Sequence, residues 1–194
     1  IYGKKNGVDL RKKGSGNAGT TNALRTMGWK AGAVTLLGDC FKCVAAVVVV
    51  HLIYGKTHTD MMPLLSMYAG MGAVLGHNYP FYLKFKGGKG IAATAGLIIS
   101  TTNIWIVLIC LAAFIAIVAA TRYVSLGSMT VVTIYLISVI VYGQHGGFGV
   151  ENVSYLHEMY GVAAFLMILA FWRHRANIKR LLSSTENKIS VGGK

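Results

Sequence analysis

Five stretches of this chain are apolar over the length that a bilayer demands. They lie at about 31–55, 62–82, 103–121, 123–143 and 155–173. A helix needs about 20 mostly apolar residues, within a range of roughly 17–25, to cross the hydrocarbon core. A sixth run, 90–101, is apolar but short. It can cross only if it is broken, tilted or sunk among other helices, because backbone polar groups inside lipid must be satisfied by protein. These runs predict an all-α fold, a polytopic integral membrane helical bundle with six spans. Composition agrees: 13% of residues are charged, where a soluble domain carries about 25%.

The charges that do occur are one-sided, with 19 Lys+Arg against 6 Asp+Glu and a net charge of +13. Long apolar runs between the basic groups speak against a nucleic-acid partner. Phosphorylated substrates and anionic membrane lipids remain. The basic groups are Lys4, Lys5, Arg11, Lys12, Lys13, Arg25 and Lys30; then Lys84, Lys86 and Lys89; then Arg122; then Arg173, Arg175, Lys179, Arg180, Lys188 and Lys194. If all six runs cross, every group falls on one side, which the positive-inside rule makes cytoplasmic. If 90–101 does not cross, Arg122 falls on the opposite side. The expected organisation is a single membrane domain over 1–194, with a cytoplasmic loop at 1–30, spans and loops over 31–173 and a cytoplasmic tail at 174–194. Within the first span, Asp39 and Lys42 stand three apart on one helix face and are expected to pair. Cys40 and Cys43 form a C-x-x-C inside an apolar run, without a second ligand pair. They read as small helix-packing residues, as does Cys110, and no metal site is expected.

Three stretches on the expected cytoplasmic side are unlike ordinary loops. The first, 11–28, reads RKKGSGNAGTTNALRTMG. Gly14, Gly16 and Gly19 let backbone N–H groups turn toward an anion. Ser15, Asn17, Thr20, Thr21 and Asn22 offer neutral hydrogen bonds, and Arg25 offers a planar fork suited to phosphate. The second, 76–90, reads GHNYPFYLKFKGGKG. Gly87, Gly88 and Gly90 surround Lys89, and an apolar helical run follows. Amides at a helix N-terminus beside a lysine ammonium make an anion site. Gly90 after Lys89 breaks the G-x-x-x-x-G-K-[ST] pattern, so phosphate is implied but ATP is not. His77 and Asn78 precede this loop, as packing or as site residues. The third is the tail, RHRANIKRLLSSTENKI at 173–189. Ile178, Leu181 and Leu182 recur at helical spacing, as in an amphipathic surface helix. His174 and Asn177 share one of its faces, and an imidazole there can exchange protons near neutral pH.

GSGNAGTTNALR, GHNYPFYLKFKGGKG, YVSLGS at 123–128 and the tail from RHRANIKRL to ENKI resemble, in this order, the motifs of the bacterial PlsY family. The resemblance runs from about residue 11 to 189. The family comprises membrane glycerol-3-phosphate acyltransferases that use acyl phosphate, with seven spans and the amino end outside. The resemblance therefore implies one further span ahead of Ile1, where the chain opens without an initiator Met. It implies a bacterial cell (inner) membrane protein with its active site toward the cytoplasm. It also implies that the sn-1 hydroxyl of glycerol 3-phosphate attacks acyl phosphate, giving lysophosphatidic acid and phosphate, the first acylation of phospholipid synthesis. No cofactor is implied. The enzyme that makes the acyl phosphate is a candidate partner.

Carried over from the family, the catalytic residues are Ser15, Arg25, His174 and Asn177. Substrate binding falls to Gly14, Gly16, Asn17, Asn22, His77, Lys86, Gly87, Gly88, Lys89, Gly90 and Ser125, and Glu186 is structural. The H-x-x-x-x-D motif of acyl-CoA and acyl-carrier-protein users is absent, since Tyr82 stands fifth after His77. Two mechanisms are open: direct attack, with His174 or a substrate phosphate oxygen taking the proton, and an acyl-enzyme on Ser15. Two other classes compete. A transporter of a phosphorylated solute would show paired interrupted helices in symmetric halves. A lipid-binding scaffold would not need the Ser/Asn/Thr cluster.

Overall fold

A computed structural model describes residue 3 and residues 6–189. Lys4, Lys5 and Lys194 of the basic groups, and the opening Ile1-Tyr2, lie outside the described residues. Regular structure among the described residues is helical. The chain divides into two compact units, Ile1–Thr101 and Thr102–Lys194.

The first unit contains α1 (Thr20–Met27), α2 (Trp29–Tyr54), α3 (Met62–Asn78) and α4 (Ile91–Thr101). Gly28, with φ +83°, separates α1 from α2 and donates its N–H to Leu24 O. Helix α3 begins with proline in its first turn, where a missing N–H costs nothing. It stops at Asn78, earlier than the apolar run to residue 82 suggests. Pro80 is the reason: it disfavours helical backbone at Tyr79, which adopts φ −131° and ψ 55°. The rest of that run, Phe81–Leu83, forms a short 3-10 turn.

Among the described residues, four helices are long and apolar enough to cross a membrane: Trp29–Tyr54, Ile104–Thr121, Val124–Gln144 and Val153–Arg173. Two of the six expected spans are shorter. Helix α3 has 17 residues, about 26 Å at 1.5 Å per residue, and α4 has 11, about 17 Å. The short α4 packs against both α2 and α3 and buries Ala93, Thr94, Gly96, Leu97 and Ile98. Gly96 permits a close approach of α4 to α2, because a Cβ there would overlap the Cys40 carbonyl and lie 3.0 Å from Cys43 Cβ. Cys43 Sγ in turn faces Gly70 O of α3 at 3.7 Å. The two cysteines therefore pack helices, and both are free thiols.

The second unit contains α5 (Ile104–Thr121), α6 (Val124–Gln144), α7 (Val153–Arg173) and α8 (Arg175–Leu182). Asn103 caps α5 by accepting from Ile106 N at 3.0 Å. Asn152 caps α7 through Ser154 N at 2.9 Å. Helix α6 packs on α5 and on α7, burying Tyr135, Val139, Met159 and Ala163. The tail departs from a single amphipathic helix. It breaks at His174, and α8 ends at Leu182, where the Ser183 hydroxyl donates to Lys179 O and Arg180 O. Such local bonding competes with the helix. Residues 185–189 then run without helix, and Ile189 N donates to Arg122 O at 2.9 Å.

Gly96→Ala is expected to lower the unfolding midpoint in detergent by the equivalent of about 1–3 kcal/mol, the usual cost of overpacking. Gly72→Ala, inside α3 where a Cβ meets nothing within 4 Å, should not lower the midpoint and should raise it slightly.

Candidate active site

In the first unit, the serine-arginine loop is organised by one side chain. Asn22 is 1% exposed. Its Oδ1 accepts from Ser15 N at 2.9 Å, and its Nδ2 donates to Leu10 O at 2.9 Å and Lys13 O at 3.0 Å. Its main-chain O accepts from Thr26 Oγ1 at 2.7 Å. Asn22 thus ties the loop to α1 and lies beneath its surface. Ser15 and Arg25 are exposed. Gly14 and Gly16 sit at φ +58° and +69°, and Asn17 accepts at its main-chain O from Gly19 N at 3.0 Å.

The glycine loop folds back on the end of α3. Gly87 N donates to Asn78 O at 3.2 Å, and Gly88 N donates to His77 O at 3.3 Å. These bonds deliver Lys89 and Gly90 to the start of α4. Gly90 takes φ +86°, a region open to glycine at little cost. The first N–H groups of α4 have no partner within the helix, so they can meet an anion. The serine-arginine loop touches this turn: a Cβ on Gly88 would lie 3.0 Å from Ala18 O. Asn78 is 0% exposed, and neither atom of its side-chain amide finds a hydrogen-bond partner among the described residues. Its Oδ1 would stand 2.7 Å from a Cβ on Gly90. Lys86 is exposed on the outer part of the loop. His77 meets Lys42 Nζ through its Nδ1 at 2.6 Å, with its Nε2 edge against Gly88.

In the second unit, four expected residues gather at the junction of α7, α8 and the tail. His174 is 2% exposed, and its Nδ1 lies 2.7 Å from Ala170 O. Only an Nδ1–H can bond a carbonyl, so a neutral His174 carries its lone pair on Nε2. Glu186 Oε1 accepts from Ser125 Oγ at 2.9 Å and from Asn177 Nδ2 at 2.6 Å. Its Oε2 accepts from Arg180 Nε at 2.8 Å. Burial by itself would raise the Glu186 pKa. The bonds from Asn177, Arg180 and Ser125 and the Arg180 charge outweigh it, and the carboxyl titrates below its ordinary value.

Arg180 escaped the sequence reading, as did the link from His77 to Lys42. Arg180 stands six residues before Glu186, a spacing that no helix face signals, and the pairing exists only because the tail turns back. Asn78, left open between packing and site, belongs beside the glycine loop.

A sequence profile for the family described as glycerol-3-phosphate acyltransferase matches residues 1–184. The chain belongs to that family. Relatives bearing the same name agree. That of Clostridioides difficile is 44% identical over 94% of this chain and 83% of its own length. That of Bacillus subtilis is 38% identical over 94% and 84%. Among solved structures, PlsY, an integral membrane glycerol 3-phosphate acyltransferase in its glycerol 3-phosphate form, superposes with a TM-score of 0.81 at 31% identity. That match covers 97% of this chain and 86% of PlsY. Its lysophosphatidic acid form gives 0.80 at 30% identity. The chain is thus an acyltransferase with the helical integral-membrane fold of this family, and the transporter and scaffold alternatives fall away.

Because its folded-state pKa is lowered, Glu186 adds stability that is complete above the ordinary carboxyl value of 4.5 and is lost as pH falls through the lower folded value. Glu186→Gln should therefore cost about 1–3 kcal/mol at neutral pH, the half-exposed Arg180 limiting the effect. Unfolding midpoints of the two proteins should converge as pH falls below the carboxyl range.

Proposed function

We propose that this acyltransferase transfers a fatty acyl group from acyl phosphate to the sn-1 hydroxyl of glycerol 3-phosphate, releasing lysophosphatidic acid and inorganic phosphate. The observation that carries the reading is the first unit's anion-suited surface. Two glycine-rich turns in contact, an exposed Arg25, Lys89 and the start of α4 all favour negative charge. Names and titles of the relatives add glycerol 3-phosphate and lysophosphatidic acid as the ligand classes.

Two phosphorylated substrates repel one another, so their charge must be neutralised before attack. Arg25, Lys89 and the loop amides supply that neutralisation. We assign the glycerol 3-phosphate phosphate to Gly87, Gly88, Lys89 and Gly90, with Lys86 near. The acyl phosphate goes to Ser15, Arg25 and the Gly14–Asn17 turn. Asn22 serves by shaping that turn, since its amide already holds three backbone groups. Ser125 and Glu186 hold Asn177 in place.

The hydroxyl oxygen bonds to the acyl carbon, and the carbon–oxygen bond to phosphate breaks. Phosphate, the leaving group of a mixed anhydride, departs readily, so the hydroxyl requires only modest activation. Its proton passes to a phosphate oxygen or to His174, the base that the family resemblance implies. The acyl chain lies in lipid, which accounts for a reaction housed among spanning helices. We further propose a bacterial inner membrane location with the basic loops cytoplasmic, and the acyl-phosphate-producing enzyme as a partner.

Purified protein given acyl phosphate and glycerol 3-phosphate should release one phosphate per lysophosphatidic acid, and acyl-CoA should not substitute. Arg25→Ala should lose about 100-fold or more in kcat/KM, the scale of a lost charge-stabilising donor. Acyl-CoA turnover at the acyl phosphate rate, or wild-type activity of Arg25→Ala, would overturn the reading. An acylated Ser15 trapped without glycerol 3-phosphate would replace direct attack by the acyl-enzyme route.

A further inference from the structure

Asp39 and Lys42 stand well inside α2. Asp39 is ten residues past Trp29, about 15 Å along the helix. Ionised groups at such depth are costly, and a pair without a further role has a cheaper apolar alternative. The pair is not closed on itself. Lys42 Nζ donates to Asp39 Oδ1 at 2.7 Å and also meets His77 Nδ1 at 2.6 Å. Asp39 Oδ1 stands 3.2 Å from the same Nδ1. Nδ1 cannot accept from Lys42 and donate to Asp39 at once. The shorter contact, and an ammonium that has three donors and no acceptor, make Nδ1 the acceptor. The ring N–H then lies on Nε2.

That Nε2 edge faces the glycine loop. A Cβ on Gly88 would overlap His77 Nε2, and it would lie 2.8 Å from Cε1. A side-chain tip usually yields to such an intrusion. This one is fixed at its other nitrogen by a lysine that a carboxylate holds in turn, and the His77 side chain is 9% exposed. Gly87 differs. A Cβ there meets main-chain oxygens, His77 O and, at 2.8 Å, Asn78 O.

We infer that Asp39, Lys42 and His77 form a positioning relay that clamps the glycine loop through Gly88, so that the bareness of residue 88 answers to the His77 ring and not to a ligand. His77 is thereby a positioning residue, and the membrane-embedded ion pair acts on the substrate only through it. The inference rests on the proposed assignment of glycerol 3-phosphate to this loop, and its test separates the two.

The whole protein in detergent is assayed as wild type, Gly88→Ala, His77→Asn, the double variant, Gly87→Ala and Gly87→Ala/His77→Asn. Asparagine ends short of the Nε2 position and keeps a polar group for Lys42; His77→Ala serves if the asparagine form folds poorly. Gly88→Ala is expected to raise KM for glycerol 3-phosphate about tenfold, with KM for acyl phosphate little changed. The double variant should recover about threefold or more of that rise, a coupling that only neighbouring groups show. His77→Asn should give Gly87→Ala no relief. Lys42→Met/Gly88→Ala should recover in the same direction by a smaller factor.

A double variant no better than Gly88→Ala, or equal relief of Gly87→Ala, would overturn the clamp. No recovery with Lys42→Met would remove the ion pair from it. If wild type transfers no acyl group to glycerol 3-phosphate, the function reading fails. The clamp is then read from unfolding midpoints alone, which Gly88→Ala should lower and His77→Asn should restore.

Discussion

Two main-chain hydrogen bonds, from Gly87 N to Asn78 O and from Gly88 N to His77 O, decide what the first unit can do. A helix end leaves its last carbonyls unmet, and inside or near a bilayer few other donors are available. Here the glycine loop supplies them. In satisfying the end of α3 the loop reverses, and the next residues open α4, whose first N–H groups have no partner within the helix. One set of bonds therefore closes one helix and presents the anion-suited end of another. Pro80 ends α3 and so makes this return possible.

The same economy governs the other motifs. Asn22 converts a run of small polar residues into a turn of fixed shape by meeting three backbone groups from beneath. Glu186 does the corresponding task in the second unit, drawing Ser125, Asn177 and Arg180 to one carboxylate. Asn22 and Glu186 shape the two clusters by hydrogen bonds, while Ser15 and Arg25 are exposed. On the proposed reading, chemistry and architecture fall to neighbouring residues of one motif.

Much of this was legible in the sequence, and what was not has physical reasons. Apolar length identified the long helices, because lipid tolerates little else. Glycines around Lys89 point to a loop whose backbone turns sharply, as it does at Gly90. The motif order carried the family. The apolar run at 62–82 misled on the length of its helix, since hydropathy does not register that Pro80 stops a helix two residues earlier. The tail misled likewise: the spacing of Ile178, Leu181 and Leu182 is helical, but Ser183 diverts its hydroxyl to the backbone and the chain turns back. Arg180 with Glu186, and Lys42 with His77, are pairings across a fold. Local periodicity contains no term for them.

On the proposed reading, the glycine loop and the start of α4 hold the phosphate of glycerol 3-phosphate. A crystal structure of this protein with glycerol 3-phosphate bound would locate that phosphate. Its oxygens should accept from the amides around Gly88–Ile91 and from Lys89 Nζ at about 2.7–3.1 Å. A glycerol 3-phosphate bound with its phosphate away from that loop, and with Lys89 making no contact, would contradict that reading.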